Sequence, residues 1–538
     1  MSRRGWTLYA AAASALLVVA SCTGQDAAAP RPAATSVSPS SSATTSTPAP
    51  AMTQTDGFFR LNLLPEPVAQ QVVVDHSQTQ PRSVRIEVVQ AATVGDATRV
   101  VLAWDVPVEG EDVTPSYMRS NHKRATPFEI GLRLYDAAAG TVSEPLRTAS
   151  GDCLCSNNTG RYTDPEKQSL FWADFPAVTG DAVTLLVGEQ APPFEAVPVS
   201  HDAAPLDLSA AGELADWVGN PPPATVGESA AAPVVVPVRR SVRTFGGAED
   251  SQVGKNADVS LPADVLFAFD SSTLTAKARS VLAAAAPRLA AAAKGGRVQV
   301  VGHTDDQGTP AYNDRLSLAR ARSVVAYLAP RLRSAGITLV AVGKGESEHL
   351  VPNTTADGKP IEANRRRNRR VSFVFPRSDA SRATGLDVPQ QLPDMAKAHA
   401  TSPSPEVTNP LATVLSSDGT VKVHVTRLQR SGDQLWVQMS FTAAGEHADW
   451  GANPPLLGPN PYGPNDTLAN VAVVDAQART LVTPLTYGGG ECLCSENQGS
   501  GMLLAQPLNL WAVFPAPKAS TVTLRIPGAG QVADLPVT

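Results

Sequence analysis

The sequence predicts a multidomain protein in which a central α/β domain is flanked by two repeated all-β, sandwich-like domains. One observation behind this prediction is an internal repeat that brackets the middle of the chain. A second is that both copies consist of short apolar segments separated by turn signals. The third is the order of strand and helix patterns between the copies, which predicts a βαβαβ unit with helices packed on one sheet.

The internal repeat is visible at several landmarks. VRIEVVQAATVGDATRVVLAWDV at residues 84–106 aligns without a gap with VKVHVTRLQRSGDQLWVQMSFTA at residues 421–443. CLCSNNTG, which begins at Cys153, likewise matches CLCSENQG, which begins at Cys492. Alternating apolar and β-branched residues with shared Gly-Asp turns predict strands in both copies, at a spacing that suits a small sandwich.

The N-terminus carries the pattern of an export signal. Arg3 and Arg4 precede an apolar stretch too short to span a bilayer, and Val19-Ala20-Ser21-Cys22 follows it. This tetrapeptide resembles a bacterial lipobox, which implies that Cys22 is lipidated and becomes the first residue of the mature chain. An ordinary signal peptide with an incidental Cys22 is the alternative. A lipid at this position predicts a chain anchored to a membrane face rather than spanning the membrane.

Composition shifts divide the remainder of the chain. Residues 23–57 are rich in Ala, Pro, Ser and Thr and bury too little apolar surface to fold, so they predict a disordered tether. At about 3.1 Å per residue, roughly 30 residues reach on the order of 90 Å, which is long enough to approach a cell wall. The predicted segments are a lipoprotein signal peptide at 1–22, the tether at 23–57, β-domain copy 1 at 58–201, a linker at 202–258, the central domain at 259–377, a second linker at 378–410, and β-domain copy 2 at 411–538.

The four remaining cysteines form two Cys-Leu-Cys units, Cys153/Cys155 and Cys492/Cys494. Because each copy has its own pair and exported proteins retain disulfides, one bridge within each pair is the favoured interpretation. Such a small ring adds little stability through loop entropy. Free thiols or bridges between the copies are one alternative. Metal binding is another, although no histidine lies near either pair.

In the central domain, strand patterns are predicted at residues 265–270, 297–305, 337–346 and 369–375, with two helices between the first three. Ser271 or Ser272 is expected to cap the first helix, and Pro287 to bend or divide it. In the second helix, apolar residues recur at spacings of three and four and predict the face toward the core, listed as Leu318, Ala321, Val325, Leu328 and Leu332.

Asp305 and Arg320 are expected to meet at one cleft. Asp305 follows a strand on the loop that leads into the second helix, and Arg320 lies on that helix with Asn313 and Leu316 on a face away from the predicted core stripe. The two charges can simply pair with each other. They can also hold a zwitterion, because a carboxylate binds an ammonium group and a guanidinium binds a carboxylate as a fork.

The motifs FAFDSSTL, GHTD, GTPAYNDRLSLARARSV, VGKGESE and NRRRNRRV occur in this order within residues 261–375. Together they resemble the OmpA-like peptidoglycan-binding domain. The resemblance implies non-catalytic binding of the peptide stem, chiefly the free amino-acid end of meso-diaminopimelate. It implies that Asp305 holds the ammonium group and Arg320 the carboxylate. Further wall-facing positions are implied for Phe269, Asp270, Thr304, Asn313, Leu316 and Arg369.

One departure from the family pattern concerns the segment Glu346-Ser347-Glu348-His349, because members often carry a proline soon after the glutamate and here Pro352 comes later. The departure leaves the conformation of this loop unpredicted, but it does not change the predicted site. His303 is expected to make a structural hydrogen bond rather than to act in catalysis. Residues 365–367, three consecutive arginines, are expected to be solvated charges near the anionic wall.

The leading hypothesis is therefore a lipid-anchored envelope protein that binds peptidoglycan, is not an enzyme, and uses no cofactor or metal. We expect it to be exported and to face the cell wall from the cell membrane or outer membrane, with an unknown partner for the β-domains. A net charge of −6 argues against nucleic acid as a partner. The alternatives are a wall-acting enzyme with a carboxylate pair, although no Gly-x-Ser-x-Gly, His-Glu-x-x-His or P-loop is present, and a pore or assembly protein built on the β-domains.

Overall fold

The computed structural model describes residues 52–55, 58–62, 64–75, 82–105, 131–156, 168–188, 191–201, 203–207, 215–217, 219–228, 230–245, 247–253, 256–293, 296–355, 358–376, 395–445, 466–488, 491–497 and 507–538. The predicted signal peptide, Cys22 and nearly all of the predicted tether lie outside these residues. Export and lipidation therefore stay predictions. In the described part of the chain, no helix has both the length and the apolar character needed to cross a membrane.

The first β-domain has two larger sheets that share a buried core, and a separate two-stranded sheet of β1 and β2. Its described strands are β1 Met52–Thr55, β2 Phe58–Leu61, β3 Ala69–Asp75, β4 Arg82–Val94, β5 Ala97–Asp105, β6 Leu132–Asp136, β7 Thr141–Ser143, β8 Gln168–Pro176, β9 Ala182–Val187 and β10 Phe194–Pro198. Side chains such as Ile86 and Leu102 from the sheet with β4 and β5 pack in one buried cluster with Leu134 and Leu185 from the sheet with β6 and β9. This packing stabilises the domain by removing apolar surface from water.

The segment between the first β-domain and the central domain contains five described strands. They are β11 Ala215–Trp217, β12 Val235–Pro237, β13 Arg239–Thr244, β14 Glu249–Val253 and β15 Asn256–Pro262. β11 pairs with β8, and β12 pairs with β7, so both belong to the sheets of copy 1. The expected linker at 202–258 thus differs from the structure, because its β-branched residues find partners in strands that are distant in sequence.

The central domain continues with α1 Ala263–Leu266, α2 Ala276–Ala293, β16 Gly296–Gly302, α3 Pro310–Leu332, β17 Ile337–Gly343, α4 Glu362–Asn368 and β18 Arg370–Pro376. Its strands lie in the order β17-β16-β18-β15, with β16 and β17 parallel and the other pairs antiparallel. One buried cluster combines apolar residues of α2, α3 and these strands, among them Leu282, Leu328, Val300 and Phe373. The predicted combination of helices and a sheet is confirmed.

Three local predictions in this domain were wrong. The expected strand at 265–270 is instead occupied in part by α1, and the first strand is β15, which begins at Asn256 before the predicted boundary at 259. A short apolar run does not distinguish strand from helix, and Pro262, the residue directly before α1, cannot continue the ladder of a central strand because it has no N–H. The cap of α2 is Thr275, whose hydroxyl accepts the Ala278 N–H at 3.0 Å, rather than Ser271 or Ser272.

Pro287 lies inside α2 and does not divide the helix, which runs without interruption from Ala276 to Ala293. In α3 the buried face is shifted from the predicted one: Ala321, Leu328 and Leu332 are buried, whereas Leu318 and Val325 are only half-buried. The buried face instead starts with polar side chains, listed as Asn313, Ser317 and Arg320, followed by Val324. Arg320 had been expected to point away from the core face, but it belongs to the buried face of α3.

The last part of the chain contains β19 His399–Ala400, β20 Ala412–Leu415, β21 Val421–Ser431, β22 Gln434–Ala443, β23 Asp466–Thr467, β24 Ala472–Asp475, β25 Thr480–Val482, β26 Thr486–Tyr487, β27 Glu491–Cys492, β28 Glu496–Asn497, β29 Leu508–Pro515, β30 Thr521–Ile526 and β31 Gly530–Pro536 among the described residues. One sheet has the order β19-β20-β21-β22-β29. β19 lies in the expected second linker, which therefore ends as a strand paired with β20.

The other sheet of the second β-domain is continuous with the sheet of the central domain. Its strands β25, β24, β30 and β31 follow β13 in a single twelve-stranded sheet that runs through β14 and β15 to β18, β16 and β17. The two β-domains also contact each other directly. Tyr135 and Leu186 of copy 1 share a buried cluster with Trp436 and Trp511 of copy 2, and the Gln434 side-chain N–H donates to the Tyr135 hydroxyl at 2.6 Å.

Candidate functional site

The loop after β16 holds Asp305 in a buried position. The chain leaves the sheet through hydrogen bonds from the backbone N–H of His303 to the Arg370 carbonyl at 2.9 Å and from that of Thr304 to the Gly345 carbonyl at 2.8 Å. The Asp305 side chain then accepts the Gln307 N–H at 3.2 Å, which closes a turn before α3. Asp305 is 5 % exposed, so its carboxylate requires a fixed partner.

That partner is Arg369 rather than Arg320. Arg369 Nη1 lies 2.6 Å from Asp305 Oδ2. The same guanidinium also donates to Asp264, at 3.2 and 3.3 Å, and to Glu362, at 3.1 and 3.2 Å. Burial alone would lower the pKa of Arg369, but its hydrogen bonds to Asp264 and Asp305 outweigh burial and raise the pKa.

The partners Asp264 and Glu362 were not identified from the sequence. Asp264 lies in α1, where a strand was expected, and this hid its position. Glu362 lies in the first turn of α4, seven residues before Arg369. A spacing of seven residues is two helical turns, which brings both side chains to the same side of a helix. This spacing was the sequence signal from which the contact between Glu362 and Arg369 could have been predicted.

Arg320 is held in place but keeps its outer nitrogens unpaired. Its Nε donates to the Ser271 carbonyl at 2.9 Å, and its guanidinium lies 5.4 Å from the centre of the Phe267 ring. Across the described residues, Nη1 and Nη2 have no hydrogen-bond partner, although the side chain is only 6 % exposed. Burial lowers the pKa of Arg320, whereas the charges of Asp264 and Asp270 oppose this effect.

Three more of the predicted residues, Asn313, Thr304 and Leu316, lie on α3 or on the Asp305 loop. The Asn313 amide donates to the Gln307 carbonyl at 3.0 Å and to Glu346 Oε2 at 2.6 Å, so it joins the Asp305 loop to the loop after β17. Thr304 is buried, and its hydroxyl has no partner within the described part of the structure. Leu316 is half-buried on α3.

Phe269 and Asp270 lie on the turn before α2, near Arg320. Phe269 is 97 % exposed, which is unusual for a large apolar side chain. Asp270 has a backbone φ of 56° and accepts a hydrogen bond from the Tyr312 hydroxyl. This bond raises the pKa of Tyr312. The turn therefore exposes an aromatic ring to solvent and places the Asp270 carboxylate close enough to Arg320 to oppose the lowering of its pKa by burial.

His303 is buried and its surroundings disfavour the charged imidazolium. Burial, together with the positive charge of Arg370, lowers the pKa of His303 to about 2. A backbone hydrogen bond with Glu348 acts in the opposite direction but is weaker.

The arginines of residues 365–367 are not uniformly solvated, as had been expected. Arg365 binds Asp306 through two hydrogen bonds at 2.7 and 3.1 Å. Arg367 binds Glu249 through two at 3.2 Å. Only Arg366 is largely exposed, with 65 % of its side chain accessible. The pairing reflects a requirement of the buried Glu249, whose charge needs a partner in a low-dielectric environment.

Both Cys-Leu-Cys units form local disulfides in the structure. Cys153 is joined to Cys155, and Cys492 to Cys494. Both units lie against a sheet of their own domain. The backbone of Cys155 forms an isolated antiparallel β-bridge with Ala173, and that of Cys494 forms one with Ala512. They are thus part of the β-domains and not of the site around Asp305.

A comparison with protein families identifies the central domain. The model of the OmpA family matches residues 266–364. The central domain is OmpA-like, as the sequence motifs predicted. No curated protein matches the chain.

Solved structures of several bacterial envelope proteins are similar to part of the chain. The cell wall anchor of the T6SS from Pseudomonas aeruginosa is 29 % identical, over 27 % of this chain and 88 % of that one, with a TM-score of 0.19. A MotB-like protein from Desulfovibrio vulgaris is 31 % identical, over 24 % and 77 %, with a TM-score of 0.19. The peptidoglycan-associated lipoprotein from Burkholderia pseudomallei is 24 % identical, over 20 % and 86 %, with a TM-score of 0.16. Because these TM-scores are low, we draw no conclusion from the structural matches.

Proposed function

We propose that the protein binds peptidoglycan without cleaving it, through the OmpA-like domain. The observation that carries this proposal is the buried Arg320, whose Nη1 and Nη2 have no partner among the described residues although its Nε and its ring contact hold it in place. A guanidinium in this state is prepared to bind a carboxylate as a fork. The match of the OmpA family model to residues 266–364 supports peptidoglycan as the source of that carboxylate.

The ligand group that fits is the free amino-acid end of a diaminopimelate-type stem. Such an end carries one carboxylate, for Arg320, and one ammonium group, for Asp305. The Asp305 carboxylate already accepts bonds from Arg369 and from the Gln307 N–H. A carboxylate offers about four lone-pair sites, so it can accept an ammonium group as well. Arg369 then serves to fix the carboxylate rather than to compete for it.

The lipid anchor is part of the same proposal. If Cys22 is lipidated, the chain is held at a membrane face while the central domain binds the wall. The protein then links the two layers without needing an enzymatic activity. The support for this part comes from the lipobox pattern at residues 19–22 alone.

The test is co-sedimentation of the full mature chain with purified sacculi, combined with melting curves. Asp305→Asn and Arg320→Ala should each weaken binding by about tenfold or more, because a charge-assisted contact contributes about 1.5–3 kcal/mol. Arg322→Ala is the matched control, because this arginine is exposed on the same helix. Variants that melt like the wild type but do not sediment support the proposal.

The double variant adds a sharper criterion. If Asp305 and Arg320 hold one ligand centre, the combined loss should be smaller than the sum of the single losses, since a half-held ligand is already poorly placed. Wild-type protein that stays in the supernatant refutes the proposal. Release of soluble fragments from the sacculi would instead favour the wall-acting enzyme.

A further inference from the structure

The hairpin of β13 and β14 connects the central domain to the second β-domain. β13 pairs with β25 of copy 2, with Val242 opposite Val482. β14 pairs with β15, which in turn pairs with β18 of the central domain. Backbone hydrogen bonds therefore run without a break from copy 2 into the sheet on which the OmpA-like domain is built.

Glu249 lies in this hairpin and contacts the helix α4. It is 4 % exposed, and both of its carboxylate oxygens accept from Arg367 Nη2 at 3.2 Å. Although burial raises the pKa of Glu249, the charges of Arg367 and Arg243 outweigh burial and lower it to about 2. The Glu249 carboxylate is thus ionised at neutral pH.

Copy 2 contributes a charge to the same cluster. Arg525 in β30 acts electrostatically on Arg243, the neighbour of Glu249 across the hairpin. At the equivalent position of the repeat, copy 1 has Leu186, which lies in the apolar cluster between the two β-domains. The equivalent position of the repeat is therefore apolar in copy 1 and charged in copy 2.

The helix that Glu249 holds leads directly into the candidate site. α4 carries Arg367 and ends at Asn368, and the backbone N–H of the next residue, Arg369, donates to the Arg365 carbonyl. Arg369 then contacts Asp305 at 2.6 Å. A seven-residue helix has little stability of its own, so its position depends on such tertiary contacts.

We propose that the second β-domain is a positioning module for the wall site: through the hairpin and Glu249 it holds α4, and thereby Arg369 and Asp305, in the binding arrangement. This inference rests on the proposed function of the central domain. It assigns a role to copy 2 that requires no ligand of its own. Glu249 is a positioning residue, since its contact to the site passes through Arg367 and α4.

The test compares Glu249→Gln with Glu195→Gln in the full mature chain. Glu195 pairs with Arg427 at 3.1 Å between the two β-domains, so its variant removes an equivalent ion pair away from the central domain. Glu249→Gln should reduce the affinity for purified sacculi by about two- to thirtyfold, the range expected for coupling between sites. Glu195→Gln should bind like the wild type.

Hydrogen exchange followed by mass spectrometry separates positioning from general stability. Glu249→Gln should accelerate exchange in residues 362–370 while the amides of α2 exchange as in the wild type. If Glu249→Gln does not fold, Glu249→Asp is used instead, because it keeps the charge but draws the carboxylate away from Arg367 by one methylene. It should also lower sacculus affinity and accelerate exchange in α4, to a smaller extent.

Unchanged affinity in a folded variant at position 249 overturns the inference, and so does an affinity loss of equal size in Glu195→Gln. Failure of the wild type to bind sacculi is a different result. It would refute the proposed function of the central domain, whereas a binding wild type with insensitive variants refutes only the positioning role.

Discussion

Replacing Gly302 with alanine should displace α3 from the sheet. Gly302 is the last residue of β16, and the backbone of α3 crosses directly over it. A Cβ atom at this position would lie 2.7 Å from the carbonyl carbon of Ser317 and 3.1 Å from its Cα. The obstacle is helix backbone and not the end of a flexible side chain, so the helix itself has to move.

The substitution overpacks a well-packed region, and overpacking typically lowers the free energy of unfolding by about 1–3 kcal/mol. Ser317 adds to the constraint, because it is buried and its hydroxyl accepts the Gly345 N–H at 2.9 Å. The displaced helix also carries Asn313 and Arg320. Gly302→Ala should therefore lower the free energy of unfolding and weaken binding to sacculi at the same time.

Urea unfolding and sacculus co-sedimentation measure the two effects. The control is Gly445→Ala, because an added Cβ meets no heavy atom within 4 Å there. Its effect should stay within about 0.5 kcal/mol. If Gly302→Ala unfolds at the same urea concentration as this control and binds sacculi normally, the close approach of α3 to β16 does not constrain the site.

Further predictions concern pH, a buried ion pair and the anchor. Burial and Arg370 lower the pKa of His303 from 6.5 to about 2. Below pH 6.5 the unfolded chain therefore binds a proton at this histidine that the folded chain does not bind. A change from pH 7.5 to 5 should consequently lower the free energy of unfolding by about 2 kcal/mol. His303→Gln should reduce this difference in urea titrations at both pH values; an unchanged difference contradicts it. Asp174→Asn should lower the free energy of unfolding by about 3–5 kcal/mol, because Arg99 Nε lies 2.7 Å from the buried Asp174 and loses its charged partner. The expected result is a lower urea midpoint. A midpoint equal to that of the wild type would show that the ion pair is not needed for stability. Cys22→Ala should move the protein from the membrane fraction to the soluble fraction, and persistent membrane association argues against the lipid anchor.

The sequence was sufficient to find the OmpA-like domain, because its motifs are local and keep their order. Asp305 could be placed on the loop before α3 for the same reason. The partner of Asp305 could not be predicted, because Arg369 is distant in sequence and its contact depends on how α4 packs. Arg320 was expected on a face away from the core stripe, yet polar residues begin the buried face of α3, and the apolar periodicity does not show where that face starts.

The predicted linkers illustrate a different limit. Proline and alanine dominate much of residues 202–258, and this composition is typical of unpaired chain. β12 and β13 nevertheless pair with strands of different β-domains, at Ser143 and Val482 among other positions. Strand pairing over such separations leaves almost no local signal, because each strand contributes only three to six residues.

The position of β13 in the chain has a consequence for the order of folding. β13 precedes the central domain, whereas its partner β25 follows that domain. A chain that emerges from its N-terminus therefore presents one side of β13 before the partner has been made, and contacts of this kind form slowly. An unpaired strand is a template for association with other chains. Chains that end before copy 2 should consequently aggregate even when their OmpA-like domain has folded.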